Sequence, residues 1–364
     1  MRKIQEKFHT SLFVGKLPKG CQLCHKGSKI VLFMTGICSH PNYCRWYCPI
    51  SFERREYDTG YVNETQIQSP HDIIKEATLI EAEGAAITGG EPLLRLSKTL
   101  EYISLLKGHF GKDFHIHLYT NAESMEKADV ETLKKAGLDE IRLHPRPNNW
   151  YKIAWCLQSG MTTGVELPAI PFQFTKYKAL IRYLEQVGAH FLNLNEFEIT
   201  ESNAKYLQMF GYYLKEDTIA AVEYSEEFAL ELLEYARKFT LNVHYCSIGY
   251  KDGVQLKRRY LRRARNIALP HETIGEDGLL IKAVIFQDGV NLDDLNRLKA
   301  QILQQFHLPP SAVILNPDKQ RLELKINQLK KLKPFLAHLP YQAGIIEELP
   351  LDGAHRIQMT FTPI

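Results

Sequence analysis

Long hydrophobic segments, a signal sequence and a strong net charge are all missing from this chain. No run of about eighteen apolar residues occurs, so no membrane-spanning helix and no membrane partner are expected. Residues 1–7, MRKIQEK, lack the apolar stretch of a signal peptide, which indicates a cytoplasmic protein. The formal net charge of +3 is too small to imply nucleic-acid binding by itself.

Composition and length fit a globular protein with a substantial core. Apolar residues make up 45% and charged residues 24% of the 364 residues, which is ordinary for a soluble protein. A chain of this length suits one large domain or two.

Cysteine is unevenly distributed. Five of the seven cysteines fall within the first fifty residues; the full set is Cys21, Cys24, Cys38, Cys44, Cys48, Cys156 and Cys246. In a cytoplasmic protein, such clustering favours metal or redox chemistry over disulfides. The alternative is a set of unrelated buried thiols.

Short apolar segments alternate with helical patterns from about residue 29 to residue 246. The predicted strands are 29–35, 84–88, 114–120, 140–145, 163–170, 191–199 and 241–246. The predicted helices are 70–83, 98–110, 125–136, 150–158, 175–187 and 226–238, from apolar residues at three- and four-residue spacing. This alternation predicts an α/β fold with a parallel sheet, as a partial or complete (β/α) barrel.

Polar residues follow several of the predicted strands. They are Thr88, Thr120, Asn121, His144, Glu166, Asn193, Asn195, Glu196, His244 and Cys246. The C-terminal ends of parallel barrel strands form the active-site mouth, so these side chains are candidates for the site. The alternative for each is a strand-ending turn or a helix cap.

The pattern suggests four regions: 1–28, an extension with two close cysteines; 29–250, the barrel core; 251–277, a basic segment and linker; and 278–364, a small domain. Within the core, residues 201–224 interrupt the alternation and predict either a lid or a surface insertion without a catalytic role. The last region reads as strand, helix, two strands, helix and strand, with a final strand over 355–362. That order predicts a ferredoxin-like α+β domain.

The loop after the first predicted strand holds Cys38, Cys44 and Cys48, with five and then three residues between them. Thiolates are the usual protein ligands of iron–sulfur clusters, and three of them leave one iron of a 4Fe–4S cluster open. Zinc is the rival, with His40 or His25 as a fourth ligand, and spacing alone does not exclude it.

A glycine pair favours an iron–sulfur cluster over zinc at this loop. Residues 88–92 read Thr-Gly-Gly-Glu-Pro directly after the second predicted strand. Gly89 and Gly90 let the backbone approach a ligand closely, and Glu91 places a carboxylate beside them, suited to a cationic amine. In isolation this motif is weak evidence for a cofactor site, but downstream of three clustered cysteines it becomes strong evidence.

These two motifs resemble those of the radical S-adenosylmethionine (SAM) enzymes. Cys38, Cys44 and Cys48, with the aromatic Tyr47 before the last, look like their cluster loop, and Thr88–Pro92 looks like their glycine-glycine-glutamate motif. The resemblance covers about residues 29–246. Within the superfamily, the chain is most similar to uncharacterised, mainly archaeal proteins related to pyruvate formate-lyase activating enzymes. The common loop has three and two residues between its cysteines, so this chain departs from it in spacing.

The resemblance implies the cofactors and their chemistry. A 4Fe–4S cluster would bind SAM at its open iron, and an electron would cleave SAM to methionine and a 5′-deoxyadenosyl radical that abstracts hydrogen from a substrate. It also implies an electron donor such as ferredoxin or flavodoxin. Gly89, Gly90 and Glu91 would hold the methionine amine.

The resemblance also assigns roles to four residues at strand ends. Thr120, Asn121, Arg142 and His144 would contact the ribose or the carboxylate of SAM. The alternative for these four is packing and strand-end capping.

The remaining cysteines allow further chemistry. Cys21 and Cys24 can bind a second metal, with Cys246, or form a redox dithiol, or they are buried structural thiols. Cys246 is a candidate catalytic hydrogen donor, with a buried strand-end residue as the alternative. Cys156 lies in an apolar helix pattern and is predicted to belong to the core.

Three functions remain open on the sequence. The basic run at residues 257–265, KRRYLRRAR, and the extra domain favour modification of an RNA or another macromolecule, although such runs are commonly solvated helix faces. The resemblance favours an enzyme that activates a partner protein through a glycyl radical. A non-catalytic zinc or electron-transfer protein is the third hypothesis.

Overall fold

The computed structural model describes residues 1–7, 11–39, 41–353 and 356–364, with the side chains of residues 7, 41 and 42 left out. His40, one of the candidate fourth ligands, therefore lies outside the described residues. The chain divides into two compact units, Met1–Leu256 and Lys257–Ile364. Among the described residues, no helix is both long enough and apolar enough to cross a bilayer.

The first unit is built on one sheet of eleven strands. In chain order these are β1 Ile4–Lys7, β2 Ser11–Val14, β3 Lys29–Phe33, β4 Tyr61–Val62, β5 Thr65–Gln66, β6 Gly84–Thr88, β7 His115–Thr120, β8 Glu140–Leu143, β9 Thr162–Ala169, β10 Phe191–Glu196 and β11 Asn242–Cys246. The sheet order is β1-β2-β11-β10-β9-β8-β7-β6-β3-β4-β5. Strand β3 and the six strands β6–β11 are parallel to one another. The pairings of the described strands do not close this sheet into a barrel.

Helices precede, connect and follow the parallel strands. They are α1 Lys19–Lys26, α2 Pro41–Cys44, α3 Pro70–Leu79, α4 Leu96–Phe110, α5 Lys127–Ala136, α6 Lys152–Gln158, α7 Phe174–Val187, α8 Ala204–Met209, α9 Ser225–Ala236 and α10 Ile248–Tyr250, with a π-helix at Lys251–Leu256. Each longer crossover helix buries one apolar stripe, as Leu180, Ile181 and Leu184 do on α7. One core contains residues from both the strands and the helices, which fixes the C-terminal strand ends along one edge.

The N-terminal segment adds a strand pair and a helix that the sequence did not predict. Strand β2 pairs antiparallel with β11, and α1 contacts β3, β6 and β7. Gly27 ends α1 in the left-handed conformation at φ 67°, which costs glycine little. The two close cysteines are therefore on a helix rather than in a turn.

The second unit has two long helices on an antiparallel sheet. Its elements are α11 Lys257–Ile267, β12 Thr273–Ile274, β13 Leu280–Phe286, α12 Leu292–Gln305, β14 Val313–Asn316, β15 Arg321–Leu324, α13 Ile326–Leu336, β16 Gln342–Glu348 and β17 Gln358–Pro363. The sheet order is β14-β15-β13-β16-β17. This is the ferredoxin-like strand order with an added edge strand.

The fold prediction is confirmed: an α/β parallel sheet is followed by a smaller α+β unit with an antiparallel sheet. The basic run at 257–265 is helical, within α11. The predicted final strand began at His355, which lies outside the described residues, and the observed one begins at Gln358.

Candidate active site

A cavity of about 620 Å³ lies at the C-terminal ends of the parallel strands. Its lining includes Gly36–Cys38 after β3, Thr88 at the end of β6 with Gly89, Gly90 and Pro92 after it, Tyr119–Asn121 at the end of β7, His144 after β8, Glu166–Pro168 on β9, and Asn195–Glu198 on and after β10. Cys44, Tyr47 and Cys48 complete the side formed by the cysteine loop. The topology thus brings together side chains that are more than 150 residues apart in sequence.

The three loop cysteines all line this cavity as thiols rather than disulfides. Burial, and then the neighbouring thiols of Cys48 and Cys38, raise the pKa of Cys44 to about 12. Three thiolates at this place therefore need a compensating positive charge, which a metal centre supplies.

The spacing of the metal-binding atoms distinguishes a cluster from a single ion. Two sulfurs on one zinc ion are about 3.8 Å apart, from a Zn–S bond of about 2.3 Å. Among the described residues, the three sulfurs do not form a group with all separations within 4.8 Å. An iron–sulfur cube holds its cysteines further apart than a single ion does, so the donor set fits a cluster better than zinc.

The glycine motif packs against the start of the cysteine loop through its backbone. The Gly90 nitrogen donates to the Thr35 carbonyl at 2.7 Å and the Glu91 nitrogen to the Ile37 carbonyl at 2.9 Å. A Cβ on Gly90 would lie 2.3 Å from the Ile37 carbonyl oxygen, and one on Gly89 would lie 2.6 Å from that of Thr35. Both glycines are therefore required by the close approach of two backbones.

Glu91 points away from the cavity. Its side chain is fully buried and accepts hydrogen bonds from the Leu93 nitrogen at 3.1 Å, the Thr120 hydroxyl at 2.9 Å and the Asn121 nitrogen at 2.7 Å. Burial raises the pKa of Glu91 to about 7. The Glu91 carboxylate fixes the end of β7, whereas Gly89 and Gly90 line the cavity. The contact of Glu91 with the methionine amine stays a prediction.

Tyr47 and His144 form one wall. The Tyr47 hydroxyl and His144 Nε2 are 2.8 Å apart, and their rings stack. Burial lowers the pKa of His144 to about 4, so its imidazole is neutral at neutral pH. A neutral ring and a phenol present hydrogen-bonding groups without charge.

Arg142 lies beneath the cavity rather than in its lining. Its guanidinium bonds Glu140, Glu166 at 2.7 Å, and the Tyr119 hydroxyl at 3.0 Å. Glu166 also accepts from Asn193 and from Asn195, both at 2.8 Å. The predicted contact of Arg142 with SAM would therefore run through Glu166 and Tyr119, which do line the cavity.

The remaining cysteine candidates lie outside the cavity lining. Cys21 is buried under Arg142 Nη2 at 3.5 Å and Asn193 Nδ2 at 3.3 Å, and burial raises its pKa to about 12. Cys246 is 6% exposed, with its sulfur 3.5 Å from Gln255 Nε2. Among the described residues, Cys21 and Cys24 belong to no group of three or more metal-binding side chains whose ligand atoms all lie within 4.8 Å of one another, and a second metal there stays a prediction. Cys156 is fully buried on α6.

The cationic residues of the lining that were not predicted include Lys251 and Arg55. Lys251 begins the π-helix after β11, and Arg55 donates to the Cys48 carbonyl at 2.7 Å. Both lie in segments without a clear strand or helix pattern, and only the basic residue type could have drawn attention to them. Within the described residues, the Lys251 side chain has no hydrogen bond or ion pair. Burial lowers its pKa, but the charges of Glu198, Cys246 and Glu166 outweigh burial, so the net shift of the pKa is upward.

Residues 201–224, the segment that interrupts the alternation, are anchored on the cysteine loop. Asn203 Nδ2 donates to the Tyr47 carbonyl at 3.1 Å, and Trp46 packs against Phe210 and Tyr212. Leu207 and Val222 are fully buried in a small apolar cluster with Phe197 and Ile170. The segment is thus a fixed part of the wall beside the cysteines.

Similarity to known proteins agrees with this site. The model of the Radical SAM superfamily matches residues 34–145, a range that includes the three loop cysteines and the glycine motif. Over 318 residues, the chain is 39% identical to a Methanocaldococcus jannaschii protein with the provisional name of a glycyl-radical enzyme activating enzyme; the match covers 83% of this chain and 82% of that protein.

Solved structures show more distant likeness. Streptococcus suis SuiB bound to S-adenosylmethionine matches with a TM-score of 0.45 and 13% identity, over 61% of this chain and 50% of SuiB. Coproporphyrinogen III oxidase (HemN) from Escherichia coli matches with a TM-score of 0.37 and 10% identity, over 62% of this chain and 57% of HemN. The chain spans about half the length of SuiB, and likenesses at this level carry no argument about function.

Proposed function

The chain belongs to the radical SAM superfamily, and from this premise we propose that it activates a partner protein by removing a hydrogen atom from it. It is a radical SAM enzyme that uses a 4Fe–4S cluster and S-adenosylmethionine. The hypothesis of a non-catalytic zinc or electron-transfer protein is therefore wrong. The open question is what accepts the radical, and the proposal is a polypeptide.

Within this proposal, Cys38, Cys44 and Cys48 hold the cluster and leave one iron for SAM. The bound cofactors supply a one-electron cleavage of the sulfonium to methionine and a 5′-deoxyadenosyl radical. Gly89 and Gly90 leave room for the cofactor beside the backbone.

The reaction balances with one external electron. A reduced carrier such as ferredoxin or flavodoxin would supply it, the carbon–sulfur bond of bound SAM would break, and methionine would leave. A hydrogen atom from a glycine Cα of the partner ends in 5′-deoxyadenosine, and the partner keeps the unpaired electron on its backbone. No proton is consumed, so the site needs no general base.

The observation that carries the proposal is an apolar, acidic surface beside the cysteine loop. Residues 206–224 hold seven of the seventeen exposed large apolar side chains of the described residues: Tyr206, Met209, Phe210, Tyr213, Leu214, Ile219 and Tyr224. Over 196–227, eight carboxylates and two lysines give a net charge of −6, in a chain whose total is +3. Exposed apolar clusters of this kind mark protein interaction sites.

The same surface argues against RNA as the substrate. A net negative charge repels phosphate, so nucleic acid would be held away from the cavity. The basic residues that favoured RNA lie in the other unit, and Arg263 there is buried and bonded to the Pro350 carbonyl. The name of the archaeal relative also supports a protein partner.

The proposal is tested by anaerobic reconstitution with iron, sulfide, SAM and a reductant. In the first arm, the enzyme is incubated with proteins from the same genome that carry a candidate glycyl-radical loop. In the second arm, it is incubated with total tRNA. The expected result is a glycyl-radical resonance in one protein and an increase of at least about tenfold in 5′-deoxyadenosine with that protein only. Stimulation by tRNA alone, with no radical on any protein, would overturn the proposal.

A paired variant tests the surface itself. Replacing Met209 and Ile219, 72% and 89% exposed, by serine should reduce partner-dependent 5′-deoxyadenosine several-fold and leave partner-free SAM cleavage unchanged. Met359→Ser, at an exposed methionine of the other unit, is the matched control. Equal partner-dependent rates in the three proteins would show that this surface does not receive the partner.

A further inference from the structure

One side-chain amide outside the cysteine set reaches a cluster ligand. Asn121 Nδ2 is 3.4 Å from Cys38 Sγ and 3.1 Å from Ser39 Oγ. The Asn121 oxygen accepts from the backbone nitrogen of Glu123 at 2.9 Å. Because that nitrogen can only donate, the amide oxygen must face it, and the NH₂ group must face the Cys38 sulfur.

The turn that carries Asn121 is held from below by a buried lysine. Lys152 on α6 is 5% exposed, and its ammonium donates to the carbonyls of Ala122 at 2.8 Å, Glu123 at 3.0 Å and Met125 at 3.0 Å. Ala122 has φ 60° and is fully buried. An alanine in the left-handed region persists only when its surroundings determine it, so this turn has one imposed conformation.

Glu91 holds the other end of the turn. Its two carboxylate oxygens accept from the Thr120 hydroxyl and the Asn121 backbone nitrogen, and the Thr120 hydroxyl accepts from the Ala122 nitrogen at 3.0 Å. The glycine motif, the end of β7 and the first cysteine ligand are thus joined in one hydrogen-bonded chain. Two buried charged groups, Glu91 and Lys152, fix a single neutral amide.

We propose that Asn121 is a positioning residue that sets the reduction potential of the cluster through its hydrogen bond to Cys38, and that Lys152 acts through it. An N–H group directed at a thiolate stabilises negative charge on sulfur. Reduction adds one negative charge to the cluster, so such a bond favours the reduced form and raises the potential. This inference rests on membership of the superfamily and holds whatever accepts the radical.

The test measures the midpoint potential of the reconstituted cluster by titration with spectroscopic detection, a quantity independent of turnover. Asn121→Ala should make reduction about tenfold less favourable, which for one electron is a shift of about 59 mV to lower potential. Asn121→Asp, which places a carboxylate beside the thiolate, should lower it further. The serine hydroxyl of Asn121→Ser can still accept from the Glu123 nitrogen but is too short to reach Cys38. The serine variant should therefore show the same shift in potential as Asn121→Ala, and it replaces the alanine variant if Asn121→Ala binds little cluster.

Two further variants separate positioning from mere folding. Lys152→Met should lower the potential in the same direction, and the double variant with Asn121→Ala should lower it no more than Asn121→Ala alone, because the two residues act in series. Asn195→Ala removes an amide from the same cavity at a position bonded to Glu166, and it should keep the wild-type potential.

A purely structural role predicts a different outcome. In that case the Asn121 variants would contain less iron, but the clusters that remain would have the wild-type potential. That result, or a potential that moves equally in Asn195→Ala, would overturn the inference. A lowered potential at full iron content in both Asn121→Ala and Asn121→Ser supports it.

Discussion

At the scale of single residues, the site combines a thiol that resists ionisation, Cys44, with a hydrogen-bond donor that favours thiolate at Cys38. Burial and two neighbouring thiols raise the pKa of Cys44, while the Asn121 amide faces Cys38. A metal cluster resolves this conflict because its positive charge stabilises all three thiolates at once. Cluster binding and the ionisation of the loop are therefore one event.

Loss of a single loop thiol should abolish the chemistry. Cys44→Ala leaves two ligands, and 5′-deoxyadenosine formation should fall by about 100-fold or more, together with the iron and labile sulfide content. Cys156→Ala is the control, because Cys156 is buried on α6 away from the cavity. It should cost about 1 kcal/mol of stability and retain cluster and product. Full activity in Cys44→Ala would contradict the assignment of this loop.

The residues visible in the sequence are those whose partners are near in the chain. Three cysteines within eleven residues show their common purpose by spacing alone. The bond from Asn121 to Cys38 joins residues 83 apart, and Lys152 is bonded to a turn 27 to 30 residues before it. Long-range pairs of this kind leave no local pattern, so neither the bond from the Asn121 amide to Cys38 nor the role of Lys152 could be recognised before the fold was known.

At the scale of elements, the glycine motif and the cysteine loop meet at a seam of backbone contacts. This close approach depends on Gly89 and Gly90, which carry no side chain. Gly90→Ala would place a methyl group 2.3 Å from the Ile37 carbonyl oxygen, so the loop backbone must move. We expect a loss of cluster content of at least about tenfold, since ligand geometry tolerates little displacement.

Another glycine provides the control for that change. Gly108 lies within α4, and an added Cβ there meets nothing within 4 Å. Gly108→Ala should raise the free energy of unfolding by about 1 kcal/mol, because alanine favours helix, and keep the cluster. Equal iron content in Gly90→Ala and Gly108→Ala would show that the seam does not control the loop.

The second unit is organised around a buried ammonium. Lys282 Nζ contacts Glu272 at 2.9 Å, Glu323 at 3.0 Å and Glu348 at 2.8 Å. His271, Glu272 and Glu323 are also close enough to hold a metal ion, but the lysine already supplies the positive charge between the carboxylates. This cluster is therefore a structural ion network rather than a metal centre.

Removal of that ammonium should destabilise the second unit strongly. Lys282→Met removes the positive charge between three buried carboxylates and should lower the free energy of unfolding by about 3–5 kcal/mol. Lys330→Met, at an exposed position of α13, should change stability by less than about 0.5 kcal/mol. Calorimetry of the two variants checks this difference, and similar transitions for both would argue that the network contributes little.

At the scale of the whole molecule, the alternating pattern predicted the seven parallel strands because each needs only local periodicity and a turn to be recognised. Strand β6 begins and ends where the sequence placed it, at Gly84 and Thr88. The four-residue strands β1 and β2 were missed because β2 gains its identity from pairing with β11, more than 200 residues later, and β1 gains its identity from pairing with β2. The cysteine and glycine motifs could be recognised in the sequence, whereas the position of the segment 201–224 beside the cysteine loop required the fold.

The interior of the first unit makes the molecule sensitive to acid. Burial lowers the pKa of His144 and of His244 to about 4 and that of His117 well below its usual value. Each folded pKa is below the unfolded value of about 6.5, so the unfolded chain gains protons first. The stability that these residues contribute is complete above about pH 6.5 and is lost as the pH falls towards 4. Glu91 has the opposite sign, since its raised pKa favours folding as the pH falls from 7, and it offsets part of the loss.

His244 allows this balance to be measured, because it lies on β11 and bonds Ser11 at 2.8 Å rather than a cavity residue. All three tryptophans, Trp46, Trp150 and Trp155, belong to the first unit, so tryptophan fluorescence during urea unfolding reports this unit alone. Between pH 7 and pH 5, His244→Gln should lose about 2 kcal/mol less stability than the wild type, from a pKa difference of about 2.5 units. An equal loss in both proteins would mean that His244 titrates alike in the folded and unfolded chains and that other groups set the acid limit.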